Sequence, residues 1–340
     1  SINNLLHLQN IQLGPNNFLF YIIFVVIALL YYAVPLRWRW AWILAWSYVL
    51  LGLWEIFYLL LLVITTTITY FIGRAIQAKK DDRLTGQQVF FLGLGLCISI
   101  LLAFKFSTLL PAKSNYSIVL PLGISYYIFQ ALSYLIDVYY GKTRAVTHIG
   151  YFAFYMGFFP RLFVGPIERA GNIIPQLISG KNFDEKTFVE GFVRVIWGVC
   201  KKVVIVNRLA VITPNVMMNY QNLSTTELWT GIILSGLYIY LDFSVFTDIA
   251  IGISKLLGID TIENFDHPYL ATSVTDFWRR WHISLSTWLR DYIFYPLSIQ
   301  SRRCNQAVMQ PANILITFLI CGLWHGPTLG FLIWGGLHGV

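Results

Sequence analysis

Charged residues are scarce in this chain: Asp, Glu, Lys and Arg make up 12% of its 340 residues, whereas 57% of the residues are hydrophobic. The last thirty residues, 311–340, contain none of these four residue types. So little charge excludes an ordinary soluble domain, because an uncharged run of this length is typical of a bilayer-spanning segment. The mean hydropathy of +0.63 agrees with this conclusion. We therefore predict an all-α, polytopic membrane protein whose surface contacts membrane lipids.

Cysteine is also scarce, and the four cysteines show no close spacing, so the sequence predicts no disulfide framework and no zinc site. A P-loop, a dinucleotide-binding fingerprint and a nucleophile elbow are absent from the sequence as well. The net charge of +8 comes from basic residues in short loops between apolar runs. This placement indicates topology signals and lipid-headgroup contacts, so we expect no nucleic acid partner.

Apolar runs in the first half of the chain predict five membrane spans. These runs are 18–34, 40–54, 56–73, 89–104 and 116–136. Glu55 forms the tip of a tight hairpin between the second and third spans, and Pro121 and Gly123 are expected to bend the fifth.

The loops between these spans alternate in charge. One side carries only Lys113, and the other carries eight basic residues: Arg37, Arg39, Arg74, Lys79, Lys80, Arg83, Lys142 and Arg144. Basic loops tend to stay in the cytoplasm. The sequence therefore predicts an extracytoplasmic N-terminus.

The second half of the chain is less regular. Residues 158–169 mix apolar residues with Pro, Gly and charges, so we expect a re-entrant segment that is buried in protein or lines a cavity. Residues 188–212 carry too many charges for a simple span, which favours one or two interfacial helices. Pro327 divides the final run into 312–326 and 328–340. We predict one membrane domain over 1–340, with residues missing at one or both ends, because the chain starts without Met and stops within an apolar run.

His282 is the first candidate functional residue. Thr275 or Asp276 can cap a helix that starts at Phe277 and ends near Pro296. On such a helix, the spacing places His282 in an apolar stripe that faces the protein core. Two interpretations follow: a histidine that is hydrogen-bonded for packing, or a functional imidazole.

His325 is the second candidate and lies within the uncharged run. An ionisable side chain at membrane depth is costly and therefore indicates function. Gly322 and Gly326 flank Trp324 and His325, so another backbone or a substrate can approach closely. An imidazole can accept a proton from a hydroxyl group, which suits a general base. The alternative is a histidine that serves helix packing.

Other polar residues in apolar surroundings leave two interpretations open. Asp242 and Asp248 either pair with basic residues or line a pocket. Arg161, Glu168 and Arg169 either pair among themselves or line the cavity that their segment implies. A metal site built on the two histidines needs further ligands, and no spacing supports such a set, so we predict no metal.

At these residues the sequence resembles the membrane-bound O-acyltransferase family, in particular its bacterial, alginate O-acetyltransferase-like branch. The motifs that carry the resemblance are LPLGISYYIFQALSYLID (120–137), FPRLFVGPI (159–167), YLDFSVFTDIAIG (240–252), ENFDHPY (263–269), DFWRRWHISLSTWLRD (276–291) and GLWHG (322–326). The resemblance extends over nearly the whole chain. Family members are usually longer, and many carry a Gly-rich loop where this chain reads SIQSRRC (298–304).

The resemblance implies both an architecture and a site. The architecture is a ring of about 9–11 transmembrane helices, with re-entrant and interfacial helices around a central cavity where the membrane is thinned. His325 matches the essential histidine of the family's Trp-His-Gly motif, and His282 matches the second position of the active pair. The expected pocket or substrate channel is lined by Trp324, Trp281, Arg280, Asp242, Arg161 and Glu168.

The resemblance also implies a function: transfer of an acetyl group from cytoplasmic acetyl-CoA to hydroxyls of an extracytoplasmic polysaccharide. The expected location is the bacterial inner membrane, with an extracytoplasmic partner protein that accepts or relays the acyl group. His325 deprotonates the hydroxyl or relays its proton, and His282 orients the donor or stabilises the oxyanion. The sequence leaves this division of roles open.

Three alternatives remain at the sequence level. One is a D-alanyl transferase for teichoic acid, supplied by a small carrier protein. Another is a catalytically idle subunit of a larger membrane assembly. A transporter is the third, although no inverted repeat is visible.

Overall fold

The computed structural model describes residues 18–107 and 123–340, with the backbone alone described at 18–25, 107, 163, 164, 215 and 217. Every regular element in this part of the chain is helical, as expected for an all-α membrane protein. The α-helices are α1 Phe18–Ala33, α2 Arg39–Trp54, α3 Ile56–Ala78, α4 Arg83–Ser107, α5 Ile124–Tyr139, α6 Ile149–Gly157, α7 Phe159–Val164, α8 Ala170–Ser179, α9 Glu185–Lys201, α10 Asn207–Met218, α11 Thr225–Leu256, α12 Val274–Arg280, α13 Ile283–Leu289, α14 Tyr295–Ser301, α15 Gln306–His325 and α16 Leu329–Gly339.

Four of these helices are long and apolar enough to cross a membrane: α3, α4, α11 and α15. Large apolar side chains are exposed along them, for example Phe91 and Leu92 on α4, which are 58% and 61% exposed. A water-soluble protein rarely exposes such a surface, whereas lipid chains solvate it well. Helices α1, α2 and α5 have only 16 residues each, or about 24 Å, which is less than a hydrocarbon core of about 30 Å.

The first helices follow the sequence prediction closely. Helices α2 and α3 form the expected hairpin, and the Glu55 side chain at its tip accepts a hydrogen bond from the Phe57 backbone NH (3.5 Å). Helix α5 starts directly after Gly123, whose backbone is left-handed (φ +74°). A Cβ atom at Gly123 would lie 2.1 Å from the Leu162 carbonyl oxygen, so only glycine fits here. The predicted bend at Pro121 lies outside the described residues.

Residues 158–169 form the short helix α7 and an extended piece, and this segment is enclosed by protein, as predicted. Helix α7 packs against α2, α5 and α11. The Phe159 backbone NH donates to Ser47 Oγ of α2 (3.2 Å), and Arg161 Nη2 donates to the Tyr155 carbonyl oxygen (3.1 Å). These contacts satisfy irregular backbone that could not face lipid.

At 188–212, where one or two interfacial helices are predicted, the structure has α9 and α10, neither of which is among the four candidate spans. Helix α9, a π-helical turn at Lys202–Val206 and α10 form one continuous helical run that packs along α11. The charges that argued against a membrane-embedded helix face α11, where Arg194 and Lys201 both pair with Asp248 (3.0 and 2.5 Å). Mutual pairing offsets much of the cost of burying these charges.

The last part of the chain positions the candidate site. The connection from α11 to α12, residues 257–273, contains the fully buried Asn264. Helix α13 is held against α5 because Trp288 Nε1 donates to the Phe129 carbonyl oxygen (3.0 Å) and the two rings stack (4.2 Å). Helices α15 and α16 form a hairpin, with the predicted break at Pro327. The backbones approach closely at Gly322, where a Cβ would lie 2.3 Å from the Phe331 carbonyl oxygen.

Candidate active site

His282 lies at a break between two short helices, so the predicted continuous helix from Phe277 to Pro296 is wrong. Helix α12 ends at Arg280, His282 adopts a left-handed backbone (φ 42°, ψ 54°), and α13 starts at Ile283. The predicted cap at Thr275 or Asp276 is also displaced, because Ser273 caps α12. His282 is therefore presented by a bend in the chain and not by an apolar helical stripe.

The cause of the break is the 264–266 segment, which supplies partners to both helix ends. The Ile283 backbone NH donates to the Asn264 carbonyl oxygen (2.9 Å), and the Ser284 backbone NH donates to Asn264 Oδ1 (3.2 Å). On the other side, the Asp266 backbone NH donates to the Arg280 carbonyl oxygen (2.9 Å). Helix ends need such partners for their free NH and CO groups, so a distant loop stabilises the bend.

The left-handed backbone of His282 is strained. For a residue with a Cβ atom, this conformation costs about 1–2 kcal/mol. Such strain persists where surrounding structure imposes it, and it clusters at functional sites. The only other non-glycine residue with positive φ in the described ranges is His267, which is exposed and pairs with Asp266 (3.0 Å).

The His282 side chain is buried (3% exposed). Its Nδ1 lies 3.0 Å from Asn264 Oδ1, and the Phe243 ring contacts it edge-on at 4.7 Å between centroids. Its Nε2 is buried and has no hydrogen-bond partner within the part of the chain that the structure describes. His282 is not part of the four candidate spans, and burial lowers the pKa of its imidazole, with His325 acting in the same direction. The ring is therefore neutral at pH 7.

His325 is the last residue of α15, and its side chain is exposed on the surface of the described part. Its ring stacks on Phe331 (5.7 Å between centroids) and meets Trp334 edge-on (5.1 Å), both on α16. The Trp324 ring lies near both histidines: its centroid is 4.7 Å from that of the His325 ring and 6.4 Å from that of the His282 ring. The structure thus brings the two predicted catalytic residues to one indole.

Lys105 of α4 also lies beside Trp324 and His325. Its Nζ donates to the His325 carbonyl oxygen (3.5 Å) and sits 5.4 Å from the centre of the Trp324 ring. A cation beside an indole face is attracted by the ring quadrupole. Nothing in the sequence groups Lys105 with the histidines, because 220 residues separate it from His325.

Two of the predicted pocket residues, Trp324 and Trp281, lie near the histidines. Trp324 contacts both histidines, as described, while Trp281 packs in an aromatic cluster with Phe265 (5.1 Å) and Phe277 (5.5 Å). Arg280 is partly buried and pairs with Asp276 of its own helix (3.0 Å). Arg280 thus has a local partner within one helical turn.

The remaining predicted pocket residues have structural partners. Asp242 pairs with Lys202 (2.8 Å), which agrees with the pairing interpretation for both aspartates. Arg161 lines a small cavity with Tyr126 and Gln130, and its Nε and Nη1 atoms have no partner among the described residues. It makes no ion pair with Glu168 within 4 Å in the described part of the chain.

Glu168 is fully buried, and both of its carboxylate oxygens are used. Oε1 accepts from the Ile262 backbone NH (2.7 Å), and Oε2 accepts from Asn172 Nδ2 (2.9 Å). Arg169 pairs with Asp291 (3.7 Å) instead of with its neighbours in sequence. Arg161 therefore lines a cavity, which was one of the two interpretations for this segment. Glu168 and Arg169 have partners elsewhere in the chain and do not pair with each other or with Arg161 among the described residues.

Asn264 and Ser284 are the site residues that sequence reasoning missed. Both are fully buried, and Ser284 Oγ donates to Asn264 Oδ1 (2.8 Å). Asn264 lies within the ENFDHPY motif, but a separation of 18 residues from His282 gives no periodic signal. No group of three or more potential metal ligands occurs among the described residues.

The fold and the site define an all-α membrane protein with a neutral, partly unpaired imidazole near a second histidine. Comparison with known proteins agrees: the model of MBOAT, the membrane-bound O-acyltransferase family, matches residues 143–340. The chain is 35% identical to probable alginate O-acetylase AlgI of Pseudomonas putida, over 96% of this chain and 69% of that protein. The chain belongs to the membrane-bound O-acyltransferase family.

Two further relatives are named for a different acceptor polymer, and one of these two is named for a different transferred group. Peptidoglycan O-acetyltransferase of Helicobacter pylori is 30% identical over 88% of this chain and 63% of that protein. Teichoic acid D-alanyltransferase of Bacillus subtilis is 27% identical over 68% of this chain and 60% of that protein. The chain thus spans between 60% and 69% of the length of these three relatives.

Proposed function

We propose that this chain transfers an acetyl group from cytoplasmic acetyl-CoA to hydroxyls of an extracytoplasmic polysaccharide, in the inner membrane of a bacterium. The observation that carries the proposal is the buried His282, whose Nε2 has no partner in the described part of the chain, beside Trp324 and His325. A neutral imidazole with a free lone pair can take the proton of a hydroxyl as it attacks an acyl group.

The relatives support an acetyl group and a polysaccharide acceptor. The two relatives above that are at least 30% identical are named as an alginate O-acetylase and a peptidoglycan O-acetyltransferase. The relative named for D-alanyl transfer is less similar and matches a shorter part of this chain. The D-alanyl alternative therefore becomes one outcome of the test below.

The positions of the basic loops support the sidedness of the reaction. Basic residues at 74–88 and 141–147 favour a cytoplasmic position for these loops and an extracytoplasmic N-terminus. The acetyl group enters from the cytoplasm and leaves on the other side, where we propose that a partner protein accepts or relays it. Lys105 lies beside His325 at the end of α4 that this topology puts outside.

The test uses inverted membrane vesicles, whose cytoplasmic face is accessible, supplied with acetyl-CoA labelled in the acetyl group. The wild-type chain is compared with His282→Ala, His325→Ala and a matched control, His148→Ala, whose histidine is exposed beside the cytoplasmic loop. The measured quantity is base-labile label in the polysaccharide fraction at equal amounts of inserted protein.

The proposal predicts that wild type and His148→Ala transfer label and that both site variants lose it by at least about a hundredfold. Transfer of D-alanine from a phosphopantetheine carrier, without acetyl transfer, would support the teichoic acid alternative. No transfer of either group by the wild type, together with stable co-purification with a larger complex, would support the idle-subunit alternative.

A further inference from the structure

A cleft lies between the end of α1, the start of α2, the end of α8 and the residues that follow α11. It encloses about 390 Å³ of empty space up to its open mouth. Sites for small molecules and cofactors have volumes of about 300–1,000 Å³. Neither of the two candidate histidines is among the residues that line the cleft. The cleft is therefore a second candidate binding site, separate from the first.

The floor of the cleft is apolar. Tyr31, Phe154 and Ile259 line it and are 7%, 1% and 5% exposed. Gln176, a polar residue on the wall, exchanges two hydrogen bonds with the Asp260 backbone: its Nε2 donates to the carbonyl oxygen (2.9 Å), and its Oε1 accepts from the NH (2.8 Å). A floor of this kind offers little to a free ion and suits a hydrocarbon chain.

The rim of the cleft carries Arg39, whose guanidinium is held by neutral partners. It donates to the carbonyl oxygens of Val34 (3.1 Å), Lys181 (2.8 Å) and Tyr32 (3.3 Å). A guanidinium has five NH groups, so two remain beyond these three bonds. In the described part of the chain no carboxylate lies within 4 Å of Arg39, and its positive charge is therefore available to an anion.

Two further cations lie close to this rim. Lys181 lines the cleft, and its Nζ pairs with Asp260 (2.5 Å) through side chains that are 42% and 61% exposed. Because an exposed ion pair is weak, Lys181 can rotate towards another anion at small cost. Arg37 precedes Arg39 by two residues, is exposed and does not line the cleft.

The side chains around the cleft have the pattern of a membrane interface. Leu36 and Trp38 are 43% and 54% exposed, and they alternate with Arg37 and Arg39. Exposed tryptophan beside basic residues is typical of the level of the lipid headgroups. The predicted topology puts this loop on the cytoplasmic side, where anionic lipids attract basic segments.

The floor and the rim together select the ligand. A guanidinium binds phosphate oxygens through parallel NH groups, and the apolar floor below it accommodates the first part of an acyl chain. A zwitterionic headgroup would bring a second cation towards Arg37 and Arg39, which disfavours it. An anionic headgroup such as that of phosphatidylglycerol brings no such cation.

We propose that this cleft binds one anionic phospholipid of the cytoplasmic leaflet, with its phosphate on Arg39 and the start of an acyl chain over Tyr31, Phe154 and Ile259. The lipid then contacts parts of the chain that are far apart in sequence, from 31 to 259. A ligand that binds the folded state stabilises it by mass action. The lipid is neither donor nor acceptor of the acyl group, because the histidines lie outside the cleft.

The first measurement is the thermal unfolding of the full chain in detergent with three added probes: phosphatidylglycerol, phosphatidylcholine and soluble glycerol 3-phosphate. Saturating phosphatidylglycerol should raise the unfolding temperature by about 5 °C. Phosphatidylcholine should raise it less, and glycerol 3-phosphate should leave it unchanged. An equal rise with phosphatidylcholine overturns the preference for an anionic lipid. An equal rise with glycerol 3-phosphate shows a site for free phosphate and overturns the lipid.

The variants Arg39→Gln and Arg37→Gln remove the same charge from the same loop, but only Arg39 lines the cleft. The quantity compared is the rise that phosphatidylglycerol causes in each variant, so that a lower starting stability does not matter. Arg39→Gln should reduce this rise to that seen with phosphatidylcholine, and Arg37→Gln should retain most of it. Equal losses in the two variants would indicate diffuse attraction to the membrane surface and overturn the site.

A second measurement needs no variant. Phosphatidylglycerol with a photoreactive diazirine near the start of one acyl chain is added to membranes that contain the wild-type chain, and the labelled peptides are identified by mass spectrometry. The cleft residues Leu36 and Leu177 should be labelled more strongly than by the matching phosphatidylcholine probe. Labelling that is equal for the two lipids, or absent from the cleft, overturns the proposal even if Arg39→Gln does not fold.

Discussion

A substitution at His282 removes the imidazole, and it also changes the backbone strain, because the backbone of His282 is left-handed. Alanine retains the unfavourable φ of 42°, whereas glycine adopts it without strain. We predict that His282→Gly and His282→Ala are both inactive, and that the glycine variant is the more stable by about 1 kcal/mol. Thermal unfolding in detergent, followed by tryptophan fluorescence, measures the difference.

Ser286, about one helical turn further along the chain on α13, supplies the control for this comparison. It lies inside the helix, where glycine is less favourable than alanine by about 1 kcal/mol. Ser286→Gly should therefore be less stable than Ser286→Ala, the opposite order to that at His282. If the alanine variant is more stable than the glycine variant at both positions, the backbone of His282 is not strained.

The two histidines could be proposed as candidates from sequence because each stands out locally, one directly after Trp281 and one within an uncharged run. Asn264 could not be predicted, since its role depends on the 264–266 segment meeting the ends of α12 and α13. The same contact explains why the helix prediction failed at His282. Local propensity favoured a continuous helix, and a tertiary contact broke it.

At the scale of elements, the sequence prediction succeeded where structure depends on neighbours in the chain. The hairpin between α2 and α3 follows from the polar Glu55 at its tip. The break between α15 and α16 follows from Pro327, which has no backbone NH. Around α9, in contrast, a count of charges could not reveal that Asp248 and Asp242 of α11 pair with Lys201 and Lys202.

The pairing of α9 with α11 leads to a prediction about Asp248. Replacing it by leucine leaves Lys201, whose side chain is 9% exposed, without its carboxylate partner. We expect Asp248→Leu to destabilise the fold by about 3 kcal/mol or more. The double variant Lys201→Met/Asp248→Leu should recover most of this loss, as measured by thermal unfolding in detergent.

The exposed pair between Glu190 and Lys255 joins the same two helices and serves as the control. Glu190→Gln should change the unfolding temperature little, because water screens this pair. A double variant at 201 and 248 that is no more stable than Asp248→Leu would show that the Lys201 charge is not the source of the loss.

The contact between α15 and α16 leads to a second prediction at this scale. Alanine at Gly322 meets the Phe331 carbonyl oxygen at 2.3 Å, and this backbone atom cannot move aside cheaply. We expect Gly322→Ala to separate the two helices, to displace His325 and to lower both the unfolding temperature and acetyl transfer. Gly336→Ala on α16, where nothing lies within 4 Å of the new Cβ, should be harmless, and equal loss in both variants would contradict this account.

For the whole molecule, the positive-inside topology predicts which loops an impermeant reagent reaches. Cys304 is exposed between α14 and α15, beside Arg302 and Arg303, and is expected in the cytoplasm. With the other cysteines replaced by alanine, it should react with a membrane-impermeant maleimide only after the cells are permeabilised. A cysteine at Tyr220, between α10 and α11, should react in intact cells, and the reverse pattern would invert the topology.

The central claim is that His282 and His325 serve acyl transfer to a polysaccharide. The measurement that tests it most directly is the acetate released by mild base from cell-surface and secreted polysaccharide. Cells with the wild-type chain, His282→Ala and His325→Ala are compared at matched amounts of membrane-inserted protein. The account predicts that ester acetate is present with the wild type and absent with either variant. Equal ester acetate in all three would contradict it.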